Sequence, residues 1–435
     1  MATVTSGIKL RMKSESTYGT VPTGAFNEIR MTSEDLSPNM EYTESQAIRA
    51  DGQITEMVRT DAMGGGTINS EVAYDNPVFG EFMRAGLCSS ETSGGTWATV
   101  AAVTGTGIAA VAATGTVPGN FTDTANGFGN IKAGMWVKVS GFTGTAANNT
   151  IFKVIKAAAG VVHVIGNTLV SDADGESVTI QVMAEVQNGK TVPSYALERE
   201  DSDDTNEFHQ YLGMTVTGMD VSIPTSGIAS WSFNFEGKKP TSETATIGDG
   251  GSDTAQPTTS PMAAADVHAF YEGDPGHGVV SDSSAGTGHE WAEQPFQLLD
   301  FSLSVSPNLR QRRTVGSIGP SALPGRGDIS VTGSFRCYYN ADADGATATR
   351  TNSTLADKCL NDTVSGLALA INDAAGNGYI FDLPRVQFTN VTRNTPGKSQ
   401  DVIAEVEFQA YRNPDDNNVN TGVDGTTIRI ARGVF

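Results

Sequence analysis

Gly66-Thr-Ile-Asn-Ser-Glu-Val-Ala-Tyr74 decides the fold, because the chain carries a counterpart, Gly327-Asp-Ile-Ser-Val-Thr-Gly-Ser-Phe335. Both stretches leave a glycine-containing turn and read as strands. In the first, Ile68, Ser70, Val72 and Tyr74 face one way and Thr67, Asn69 and Glu71 the other, the period of a half-buried strand. Working outward, further matches keep the same order. Ser37-Pro38-Asn39-Met40 upstream is echoed by Ser306-Pro307-Asn308-Leu309, each with a phenylalanine before it, Phe26 and Phe296. A short helix follows each strand. Tyr195-Ala-Leu-Glu-Arg-Glu200 then echoes Leu367-Ala-Leu-Ala-Ile-Asn372, and a hairpin over 214–238 echoes one over 385–412, with Phe235 falling on Phe408. Matches in one order imply an internal duplication. The expected fold is all-β dominated: two tandem β-sandwich modules, each with a short helix, plus a small inserted β-barrel or sandwich domain.

The boundaries follow from composition. Residues 1–25 are polar, with Gly7, Gly19, Pro22 and Gly24, and read as an N-terminal arm ordered only against a neighbour. The first module covers 26–94 and 191–239. Its helix starts at Asp75-Asn76-Pro77, where Asp or Asn can cap the orphan amides and proline fits the first helical position. That helix runs through Phe79, Phe82 and Met83 to Gly86; Asn352 or Ser353 caps its counterpart. Residues 95–190 carry five lysines, five carboxylates and no arginine, so they are neutral while the whole chain has net charge −21. Short strands at 135–140, 152–156, 161–165 and 178–183 make this an inserted β domain, placed at a loop where an insertion costs least. Residues 240–294 read as linker and surface loops, 295–412 as the second module and 413–435 as a C-terminal arm whose closing strand would pair with another chain. The long polar segments 40–63 and 309–326 lack periodicity of their own, and such segments are usually functional.

Charge and composition exclude much. An acidic chain has no face for gripping duplex DNA, which needs clustered Lys and Arg. Three cysteines, Cys88, Cys337 and Cys359, make no disulfide framework and suit a reducing cytoplasm. The charged N-terminus (Lys9, Arg11, Lys13) does not read as a signal peptide, and no apolar run is long enough to span a membrane. The five histidines share no metal spacing, and neither H-E-x-x-H nor C-x-x-C occurs. Cys88 and Cys337 read as small core residues. Gly64-Gly65-Gly66 lacks the lysine of a phosphate loop. Asp201-Ser-Asp-Asp204 and Asp342-Ala-Asp-Gly345 hint at calcium, but neither completes the twelve-residue loop. No catalytic constellation assembles, so the expectation is a non-enzyme with no metal and no cofactor.

A family resemblance sits on these residues. Glu15-Ser-Thr-Tyr-Gly-Thr-Val-Pro-Thr-Gly24 with Thr32-Ser-Glu-Asp-Leu36 resembles the start of tail tube (major tail) proteins of long-tailed bacteriophages. So do Gly66–Tyr74 with its helix, and Gly376-Asn-Gly-Tyr-Ile-Phe-Asp-Leu-Pro384 before the closing hairpin. The resemblance covers about 1–92 and 191–435 and leaves out the insertion. It implies tail-tube-type sandwiches closing into rings, rings stacking into a tube, and a lumen through which genomic DNA passes without sequence-specific binding. It also implies a virion location, assembly in the host bacterial cytoplasm, a tape measure protein in the lumen, and tail terminator and distal tail proteins at the ends. Simple members carry one module per chain in sixfold rings. With two modules, three chains suffice, giving homotrimeric rings of pseudo-sixfold appearance. Glu71, Glu236, Glu405 and Glu407 are the lumen candidates. Met40, Tyr42, Arg49, Arg310, Arg312, Arg313, Ile428, Ile430 and Phe435 are the ring-contact candidates. The alternative is an outer virion decoration or host-adhesion protein with the insertion as its binding head.

Overall fold

The computed structural model describes residues 7–74, 77–90, 97, 99–114, 118–165, 169–201, 207–248, 253–273, 291–293, 297–339, 352–395, 397–398, 400–413 and 426–435. Strands β1 (Ile8–Ser14), β2 (Asn27–Glu28), β3 (Ser33–Glu34), β4 (Ser37–Glu44) and β5 (Met57–Glu71) precede helix α1 (Pro77–Gly86). Ile68 and Ser70 of β5 are buried while Thr67, Asn69 and Glu71 are not, as their alternation requires. Phe79 and Phe82 of α1 stack into the aromatic row of a later strand, Phe79 lying 4.8 Å from Trp231 and Phe82 4.9 Å from Phe235 between ring centroids. Glu81 and Arg84 go down with them and pair at 2.6 Å, so their burial leaves no naked charge. The helix ends at Gly86 as anticipated; its capping residues Asp75 and Asn76 lie outside the described residues.

The insertion comprises β6 (Val103–Gly105), β7 (Ile108–Val111), β8 (Asn120–Asp123), β9 (Trp136–Ser140), β10 (Ile151–Ala158), β11 (Val161–Ile165) and β12 (Val178–Val182). They form their own seven-stranded antiparallel sheet around a separate core that includes Phe121, Phe128, Val139, Val154 and Ile180. The next strand, β13 (Ala184–Gln187), already belongs to the large sheet.

The chain continues through β14 (Tyr195–Asp201), β15 (Glu207–Ile223), β16 (Ser230–Lys238), β17 (Thr241–Glu243), β18 (Val267–Gly273) and β19 (Trp291–Glu293). The second half contains β20 (Leu298–Ser306), β21 (Arg310–Arg312), β22 (Ala322–Gly325), β23 (Ser330–Tyr338), α2 (Asn352–Leu360), β24 (Ser365–Asn372), β25 (Asn377–Asn394), β26 (Ile403–Ala410) and β27 (Arg429–Val434). Two strands change partners midway. β15 pairs with β14 up to Met214 and with β16 from Thr215; β25 pairs with β24 up to Val386 and with β26 from there. Register shifts mark both handovers, and bulges bend and twist a strand where it leaves one partner for another. One order of pairing therefore occurs twice, β14–β15–β16–β5 and β24–β25–β26–β23. Pairing of β15 with β20 joins the two series into one run, β3–β5–β16–β15–β20–β23–β26–β25.

The pairings correct the register read from sequence. Phe235 lies opposite Gly66, whereas Phe408 lies opposite Gly333, not Gly327. Leu197 and Leu367 hold the same place against the two long strands, as do Asn39 and Ser306 against β5 and β23. Every such slip is an even number of residues. An even slip keeps each side chain on its own face, so alternation alone could not reveal it.

Several outlying segments also differ from expectation. The N-terminal arm is a strand of this chain: β1 pairs with β14 over its whole length and buries Leu10 and Met12. The polar segment 40–63 is no loop but most of a hairpin, β4 against β5, and 309–326 holds the shorter hairpin of β21 and β22. The 240–294 linker contributes β18, which pairs with β24 and buries Phe270. The C-terminal strand pairs at home: β27 sits between β25 and β13 of its own chain. Among the described residues no helix is long and apolar enough to cross a membrane.

Candidate functional site: a polar sheet face and two hairpins

Residues directly opposite in an antiparallel pair share a face, so the registers identify what the eight-strand run presents. Starting at β5, Glu71 lies opposite Ser230, Asn69 opposite Ser232 and Thr67 opposite Asn234. Ser232 lies opposite Asp220, and Asp220 opposite Ser304. Ser302 meets Ser334, Ser334 meets Glu407, and Arg336 meets Glu405. Glu407 meets Asn390 on the last strand. All four expected carboxylates, Glu71, Glu236, Glu405 and Glu407, are thus on one face, with Asp220 and Asp300 added. The reverse of the same strands is the main core, including Trp231, Phe233, Leu303, Phe335, Val406 and Phe408.

Short hydroxyl and amide side chains dominate this face and bond to one another across strands. Ser302 and Ser334 are 2.8 Å apart, and Thr67 Oγ1 donates to Asn234 Oδ1 at 2.8 Å. Two guanidinium groups reach the face, and each is met by a carboxylate. Arg30 pairs with Glu71 at 2.7 Å, and Arg336 Nε donates to Asp300 Oδ2 at 2.6 Å. Asp300, and then Glu405, hold the Arg336 guanidinium above its ordinary range. Glu405 and Glu407 stand exposed, and Glu236 accepts from Gln311 Nε2 at 3.1 Å. Among the described residues the face is mainly acidic or neutral, with Lys238 at one end of β16, and carries no run of cations for phosphates to grip.

The hairpins flank this face. Of the fourteen exposed large apolar residues among those described, seven lie on them: Tyr42, Ile48, Ile54, Met57 and Val58 on the first, Val315 and Ile318 on the second. Apolar side chains concentrated on projecting elements mark a contact surface. Met40 is half-buried beside them, and Arg49 at the tip pairs with Asp51 at 2.7 Å. Arg310 and Arg312 are exposed on β21. Arg313 reaches back to the first hairpin, pairing with Asp61 at 2.7 Å. Ile428 and Ile430, by contrast, are fully buried inside the chain, and Phe435 is half-buried against His268. These three do not join the hairpin surface, and the two isoleucines offer nothing to a neighbour.

The insertion is docked on the chain and does not hang free. Trp136, Ile151 and Met183 pack with Ala368, Ala370, Ile380 and Ala431 of the second half. A fully buried ion pair, Lys153 with Asp382, crosses this interface, and Trp136 Nε1 donates to the same Asp382 Oδ2 at 3.0 Å. Burial pushes the Lys153 ammonium down to about 8 even with the Asp382 carboxylate pulling it up. Sequence reading missed this pair because its members are far apart in the chain. It also missed Asp220, although the alternation of Asp220, Val221, Ser222 and Ile223 was there to be read.

Burial pushes the Cys88 thiol up to about 11 and Cys337 to about 12, so both are poor nucleophiles and remain core residues. Among the described residues no three His, Cys, Asp or Glu side chains converge to hold a metal ion. The Asp342 cluster lies outside the described residues. A search of curated proteins found no match. The profile of the phage tail tube protein family, in contrast, matches residues 5–410, insertion included. The chain belongs to the phage tail tube protein family, a structural family of the virion tail.

Proposed function

We propose that this chain builds its tube as stacked rings of three copies, each supplying two tail-tube-type modules, with the polar sheet face lining the channel. One observation carries the reading: a continuous eight-strand face of hydroxyls, amides and carboxylates, backed by a single core. An open sheet this wide has two exposed edges, and closing copies into a barrel removes them. Channel diameter follows strand number, so doubling the modules per chain halves the chains needed to surround the same duplex. An acidic wall repels phosphates and lets genomic DNA, or a tape measure protein before it, move without sticking. The two hairpins, with their exposed apolar side chains, hold successive rings together. The role is mechanical; no catalytic step is involved.

Electron microscopy of the purified protein tests this reading. Long hollow tubes with three chains per ring support it. Discrete particles would favour the decoration or adhesion alternative.

A further inference from the structure

The run of eight strands begins and ends on edges that no described strand covers. The residues 33–38 edge is paired only with β5, and the 389–394 half of β25 only with β26. Inside the chain, the corresponding edges already meet. β15 pairs with β20 so that Met219, Asp220 and Val221 face Val305, Ser304 and Leu303. The repeated pairings convert this junction into a register for the open one. Val216 and Phe388 occupy one place, opposite Phe235 and Phe408, and a bulge follows each. Counting on, Asp220 corresponds to Thr392 and Ser222 to Asn394. On the other side Gly66 corresponds to Gly333, which makes Ser37 the counterpart of Ser304 and Asp35 that of Ser302.

We infer that a second copy of this chain adds its 33–38 edge to the outer half of β25 in the register of the internal junction, Thr392 opposite Ser37 and Asn394 opposite Asp35. This inference rests on the ring reading above and specifies its interface. All four residues are exposed in the single chain and fall on the polar face, so the face continues unbroken across the junction. On the core side Val391 meets Pro38, as Met219 meets Val305 inside the chain. The 33–38 edge is blunted until its proper partner arrives. The Leu36 amide is taken by Glu34 Oε2 at 2.8 Å, and Pro38 has no amide to offer. The two junctions of a ring are then alike in geometry and different in chemistry, one made at folding and the other at assembly.

Cysteine pairing reads the register directly, because directly opposite positions on antiparallel strands lie within disulfide reach. In a Cys359→Ser background, which leaves only the buried Cys88 and Cys337, tubes of S37C/T392C are oxidised and run on a non-reducing gel. S37C/N390C, two residues out of register, is the control. Covalent multimers from the first pair at least tenfold above the second support the inference. Tubes that form normally but cross-link equally, or only through N390C, overturn the register while leaving the ring reading intact. If the variants do not assemble, hydrogen exchange on unaltered tubes decides. New amide protection in 389–394 and 33–38 on assembly supports the junction, and unchanged exchange there overturns it.

Discussion

Asp382 shows how much one side chain holds here. It answers a buried lysine and an indole N–H from the insertion at once. Asp382→Ala removes the carboxylate that answers both groups in this buried interface and should cost about 3–5 kcal/mol, read by chemical unfolding of the protomer. Burial outweighs the pair's attraction at Lys153, since its ammonium stays depressed beside its partner. The double variant K153M/D382L should therefore unfold at or above the wild-type midpoint. A double variant as unstable as Asp382→Ala would refute that reading. Gly333 is a second critical residue. A Cβ there would stand 2.4 Å from Phe408 Cζ and 2.5 Å from the Ser302 carbonyl oxygen. Gly333→Ala should destabilise by about 1–3 kcal/mol through forced displacement of the ring or the strand. A neutral Gly333→Ala would mean the strands are looser than drawn.

At the scale of elements, alternation was the readable signal. It assigned β5, β16 and β26 to strands and put Glu71, Glu236, Glu405 and Glu407 on their outward sides, because a period of two survives any even slip. It could not set register, so Gly327 stood where Gly333 belongs. Nor could it see partners supplied from afar. The polarity of 1–25 and 413–435 reads as arms, yet β1 pairs with β14 and β27 lies between β25 and β13, all within the one chain. The same blindness hid the docking of the insertion on the second half of the chain. Its excision should leave Ala368, Ala370, Ile380 and Asp382 facing water. Replacing 103–182 by a short Gly-Ser linker is therefore expected to lower thermal stability, and adding Asp382→Leu should recover part of the loss. Equal stability before and after excision would show that the docking contributes nothing. The first hairpin has a separate test. Removing its tip, 45–56, takes away Ile48 and Ile54 without touching the eight-strand face, and should yield free rings in place of tubes by electron microscopy. Normal tubes from that variant would remove the hairpin from ring stacking.

The whole molecule joins three properties: a recurring order of pairings, an unbroken polar face and two edges that no described strand covers. On the proposed channel-lining placement, acidity serves transport. The E405K/E407K variant should keep the tube, since both side chains are exposed on the polar face. It should retain duplex DNA in a salt-dependent way, because added cations release counterions on binding. Unchanged DNA retention would place these residues away from the channel. A three-dimensional reconstruction of the assembled tube is the decisive measurement. Three chains per ring, a pseudo-sixfold wall, and Asp220, Glu405 and Glu407 pointing into the lumen are the expected result. Six chains per ring, or those three carboxylates on the outer surface, would contradict it.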